Sequence, residues 1–163
     1  MNINLYSTDG GTEPSPLSSS AAGMAFDANL IARLEGDHAG LIAIFSRLQS
    51  MAAAQPHMVV ADLILLRELF QDHLMMEETH FYAYLDRLLA DHATVRDEAR
   101  AVWRDMEEIA VSVAQFIHNW ISTPPADSTV PVFLEQLRVT MKVLLARIEL
   151  EERTLYTLYT RTL

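Results

Sequence analysis

The segment QDHLMMEETHFYAYL, residues 71–85, holds two imidazoles and a carboxylate at spacings that suit cation binding. Positions three and four apart share a helix face. In a helix, His73, Glu77 and His80 therefore point to one side, among Leu74, Met76, Phe81 and Tyr84. Burial there requires something to satisfy the polar atoms. The chain contains no cysteine, which excludes thiolate ligands, disulfides and a cysteine nucleophile. A metal site would have to use His and carboxylate, a donor set suited to iron, manganese or zinc.

The elements that must position these groups are four segments of helical periodicity. The first runs from Asp27 to Ala53 with a stripe of Leu30, Leu34, Leu41, Phe45 and Leu48, and Gln55-Pro56-His57 breaks it. The second spans Val59 to Asp91 and carries His73 and Glu77 on its stripe. The third runs from Val95 to about Ile121, and Thr123-Pro124-Pro125 ends it. The fourth begins near Thr129 and continues to the end. No alternating strand pattern competes. Short breaks between long helices predict an all-α, antiparallel up-down-up-down four-helix bundle over 27–163. Residues 1–26, rich in Gly, Ser, Thr and Pro, read as a flexible tail, with neither the basic nor the apolar region of a secretory signal.

The second and fourth helices repeat one design. HLMMEETHFYAYL (73–85) aligned with RIELEERTLYTLY (147–159) pairs Glu77 with Glu151, Glu78 with Glu152 and Tyr82 with Tyr156. A weaker echo sets DHAGL (37–41) against DMEEI (105–109) on the first and third helices. At 1.5 Å rise per residue, counting from the loops tests whether these positions are level. His38 stands 15 residues before Ala53 and His73 14 after Val59; Glu77 stands 14 before Asp91 and Met106 15 before Ile121. Arg147 and Glu151, 18 and 22 residues after Thr129, agree fairly. His118, roughly 18 Å further along the axis than Met106, does not fit that level and reads as a bundle-end residue. His38, His73, Glu77, Met106, Arg147 and Glu151 are expected to converge in mid-bundle.

A histidine on the first helix, H-x-x-x-E-E with an aromatic pair on the second, and the echo on the fourth resemble the hemerythrin, or HHE cation-binding, domain family. The resemblance covers about Ala25 to Leu163, and HLMMEETHFY is its most specific part. It implies that His38, His73 and Glu77 are iron ligands and that Glu151 is a second bridging carboxylate. Met106 and Arg147 stand where the family pattern has histidines, and Ala83 and Thr157 where it has proline after the aromatic pair. A guanidinium cannot ligate iron, and a thioether suits a hard or borderline cation poorly.

Two accounts of this half-intact pattern stay open. In one, a single metal sits on His38, His73, Glu77 and Glu151 while Arg147 replaces the charge of a second. In the other, Arg147 abolishes metal binding and leaves a polar core in a regulatory or protein-interaction module. His80 is a candidate substitute for the missing third-helix histidine, or else a hydrogen-bonded residue at the core edge. The family resemblance implies sensing or binding of oxygen, nitric oxide or peroxide. No acid/base partner for catalysis is legible, which sets an enzyme behind both accounts. The formal net charge of −10 argues against a nucleic-acid or anionic-membrane partner. No apolar run is long enough to span a bilayer, and the expected location is the cytoplasm. The number of metals, a protein partner and homo-oligomerisation stay open.

Overall fold

The computed structural model describes residues 26–160. Most of the tail expected over 1–26 therefore lies outside the described residues. Four long helices account for the rest, and no strand occurs among the described residues. Helix α1 is Leu30–Ala54. Helix α2 covers 59–88, with Val59–Met76 and Ala83–Leu88 flanking a π-helical turn at Glu77–Tyr82. Helix α3 is Ala93–Ser122. Helix α4 covers 130–160 and again carries a π turn, Glu151–Leu155, between Val130–Leu150 and Tyr156–Thr160. These bounds lie within three residues of the expected ones wherever the ends are described.

The stops have local causes. Pro56 cannot continue α1 and opens the short 3₁₀ turn Pro56–Met58 that reverses the chain. Pro131 sits in the first turn of α4, where a missing N–H breaks no bond. Helix α1 packs on α2, α2 on α3, α3 on α4 and α4 on α1, which makes an up-down-up-down bundle. At Gly40 an added Cβ would come within 3.0 Å of Leu69 Cδ2, so this glycine lets α1 and α2 approach closely. Gly36 has nothing within 4 Å and serves no such contact.

The core divides in two. One apolar cluster, with Leu41, Phe45, Leu66, Phe70, Phe116, Phe133 and Leu144, fills the end near the α1–α2 and α3–α4 connections. A second, with Leu30, Leu34, Phe81, Tyr82, Leu155, Tyr156 and Tyr159, fills the other end. Between them lies a layer of buried polar groups: His38, His73, Glu77, Arg147 and Glu151. Each fully buried Leu or Phe contributes roughly 1.5–3 kcal/mol of transfer free energy. That apolar packing is what can sustain the desolvation of five polar side chains in one layer.

Candidate metal centre

The two π turns begin at Glu77 and Glu151, the two carboxylates of the polar layer. In each case the glutamate N–H is shared between two carbonyls of the preceding turn, His73 and Leu74 for Glu77, Arg147 and Ile148 for Glu151. An i→i+5 turn accommodates one more residue per turn than an α-helix. It therefore changes which later positions share the inward face. On α2 both Phe81 and Tyr82 are buried, whereas His80 is exposed and meets Thr79 Oγ1 at 2.7 Å through Nδ1. The expectation that His80 lines the site is corrected here. The three-residue spacing from Glu77 presumed an unbroken α-helix, and the π turn rotates the imidazole into solvent.

The other expected residues do meet. One donor atom each from His38, His73, Glu77 and Glu151 lies within 4.8 Å of the others. His38 Nε2 is 3.3 Å from Glu151 Oε2, and His73 Nε2 is 3.6 Å from Glu77 Oε2. The two imidazole centroids are 4.7 Å apart. Arg147 joins both carboxylates: its Nε donates to Glu151 Oε1 and its Nη2 to Glu77 Oε2, the oxygen that also faces His73, both at 2.7 Å. Met106 is buried and lines, with Glu77 and Arg147, a cavity of about 400 Å³ between α2 and α3.

Three groups that spacing alone left aside also take part. Glu152 Oε1 meets His38 Nδ1 at 2.8 Å. Asp37 Oδ2 stands 3.6 Å from His73 Nδ1. The Tyr156 hydroxyl donates to Glu77 Oε1 at 3.3 Å and lies 3.4 Å from His38 Nε2. Its place in the helix-to-helix alignment was legible; its inward hydroxyl was not. Tyr82, its counterpart, has a buried hydroxyl without a hydrogen-bond partner among the described residues.

Electrostatics separates the two imidazoles. Burial opposes charge on His38, but hydrogen bonds to Glu151 and Glu152, with the charges of Glu151 and Glu77, outweigh it and raise its pKa. His73 is pushed down to about 3, by burial first and then by the positive charges of His38 and Arg147. It is a neutral imidazole, the form that can ligate. Burial, and then the neighbouring Glu151, raises the Glu77 pKa, while Arg147 and His38 pull it partly back. Burial likewise raises the pKa of both Tyr82 and Tyr156.

These residues fit one cation and do not fit two. At the usual 2.0–2.2 Å ligand distances, tetrahedral donors lie roughly 3.3–3.6 Å apart, so the set has to contract by roughly 1 Å at its widest. His38 also turns its second nitrogen to a carboxylate, the arrangement that orients metal-bound histidines, whereas His73 Nδ1 stands 3.6 Å from Asp37 and has no hydrogen-bond partner among the described residues. Glu151 Oε2 is buried and, apart from the 3.3 Å approach of His38 Nε2, has no hydrogen-bond partner among the described residues, which leaves it open to a cation. A second cation would need the place that Arg147 takes between the carboxylates; the cavity beside it offers the Met106 thioether and the exposed Glu78 and Glu107, with no imidazole.

A square four-helix bundle with histidines and glutamates gathered at mid-height is the architecture of a cation-binding helical core. The comparison with known families agrees. The hemerythrin HHE cation binding domain model matches residues 29–159, and the chain belongs to that family. Compared with curated proteins and with solved structures, the chain finds no match. No helix among the described residues is long and apolar enough to cross a membrane.

Proposed function

We propose that this chain binds a single non-haem iron in the hemerythrin manner, through His38, His73, Glu77 and Glu151, and uses it in the cytoplasm to sense or bind oxygen, nitric oxide or peroxide. The observation that carries this reading is the position of Arg147. Its guanidinium stands between two buried carboxylates, where it supplies one positive charge and leaves one oxygen of each, Glu151 Oε2 and Glu77 Oε1, outside its own bonds. Bound iron would supply an electron-rich, oxidisable centre for a small ligand. The chain's own residues do the rest. His73 is held neutral, Glu77 is held from both sides by Arg147 and Tyr156, and the apolar clusters above and below exclude water. The space bounded by His38, His73, Arg147 and Glu151 does not admit a water molecule. The cavity on the Met106 side reaches Glu77 and Arg147, so a small ligand entering there has to pass the guanidinium to reach the cation.

A second reading is a metal-free regulatory or protein-interaction module. It is favoured by the two 2.7 Å bonds of Arg147, which already compensate Glu77 and Glu151. Elemental analysis of protein purified from iron-supplemented cells without chelator separates the readings. About one iron per chain, without an oxo-bridge charge-transfer band, is the expected result. Two irons per chain would overturn the single-site reading, and none would establish the module.

A further inference from the structure

We infer that Glu152 is a positioning residue for the cation site: it grips Nδ1 of His38 and so presents Nε2 to the cation. This inference rests on the single-cation reading. Neighbouring residues on a helix do not ordinarily face the same group, yet Glu151 and Glu152 both reach the His38 ring, one at each nitrogen. Glu151 Oε2 stands 3.3 Å from Nε2, and Glu152 Oε1 stands 2.8 Å from Nδ1. The doublet lies at the start of the α4 π turn, where the helix is underwound.

The chemistry gives this clamp a direction. An ionised carboxylate only accepts hydrogen bonds, so the Glu152 contact requires the proton on Nδ1. In the neutral ring that leaves the lone pair on Nε2, the nitrogen turned toward His73, Glu77 and Glu151. Tyr156, whose ring stacks on His38 at 5.8 Å and 5° between planes, restricts rotation of the imidazole about its other axis. Glu152 comes from α4 and His38 from α1, so the contact also fixes the register of two helices at the level of the site.

The internal repeat supplies a control. Glu78 follows Glu77 as Glu152 follows Glu151, but the position equivalent to His38 is Met106, which offers no N–H. Glu78 is exposed and lines the cavity beside Met106. One half of the bundle thus keeps a complete clamp, while the other keeps its carboxylate and has lost the ring.

The test is zinc titration of the chelator-treated full chain, followed by calorimetry and by nitrogen-15 spectra of labelled histidine. Glu152→Ala is expected to bind zinc 10–100-fold more weakly at unchanged stoichiometry, and to lose the protonated Nδ1 signal of His38. Glu152→Gln keeps an accepting oxygen and should recover most of the affinity. Glu78→Ala should bind as the wild type does. Wild-type affinity in Glu152→Ala, or an equal loss in Glu78→Ala, would overturn the positioning role. Wild-type protein that takes up no zinc would instead overturn the single-cation reading and this role with it. Because the Glu152 side chain is 40% exposed, its variants should fold, and unchanged circular dichroism and melting confirm it.

Discussion

The two halves of the polar layer start from one design and end differently. On the side of α1, His38 is held at Nδ1 by Glu152, Tyr156 bonds inward to Glu77, and no room remains for a water molecule. On the side of α3, Met106 stands at the height of the ring, the Tyr82 hydroxyl has no hydrogen-bond partner among the described residues, and a cavity of about 400 Å³ opens. Arg147 stands at the boundary. The difference shows two kinds of partner around one pair of buried carboxylates, imidazoles and a guanidinium. On α4 a guanidinium supplies a counter-charge to both carboxylates, and on α3 a thioether lines open space at the height where α1 carries a ring.

The boundary is where the comparison breaks most readily. Arg147→Met should cost about 3–5 kcal/mol in chelator, because Glu77 and Glu151 would stay buried without their counter-charge. Zinc should recover much of that loss by supplying the charge from the imidazole side. Urea unfolding with and without zinc measures both. A loss below about 1 kcal/mol in chelator would show that the carboxylates need neither partner, and that the layer carries no charge balance at all.

The halves can also be made alike. Met106→His with Arg147→His removes the guanidinium and restores a ring on α3, next to Glu78. If the asymmetry rests on these two residues, iron uptake should rise from about one to about two per chain, read by elemental analysis. Unchanged uptake would mean that the cavity side has drifted beyond repair by its ligand positions alone.

Much of this layout was legible before any coordinates. Prolines 56, 124 and 125 marked the turns, and the rise per residue placed His38, His73, Glu77, Met106, Arg147 and Glu151 at one height because straight helices keep count. What failed was angle and not height. A π turn needs no special residue and leaves no composition signal, so the rotation of His80 into solvent was invisible to a count that assumed 3.6 residues per turn. The same turn let consecutive glutamates share one histidine, which periodicity argues against. Asp37 stayed hidden for a further reason. Its contact with His73 crosses between helices, and spacing along one chain segment does not report such distances.

The smallest effect compares the paired tyrosines, and it tests the asymmetry without touching a candidate ligand. The Tyr156 hydroxyl is buried with bonds of 3.3–3.4 Å to Glu77 and His38, long enough to place them at the weak end of the usual range. Tyr156→Phe should cost about 1 kcal/mol, since it removes a donor and leaves one oxygen of Glu77 less satisfied. The Tyr82 ring is equally buried and stacks on Trp103 at 4.5 Å, a contact that phenylalanine retains. Its hydroxyl has no well-formed hydrogen bond among the described residues, with Arg147 the nearest influence on it, so Tyr82→Phe removes a desolvated polar group at little loss of bonding. Stability should stay level or rise by up to about 1 kcal/mol. Paired urea denaturations in chelator give the sign of each change. Equal losses in both would mean that Tyr82 hydrogen-bonds in solution, through water or a shift of Arg147, and that the two halves are more alike than their static geometry shows.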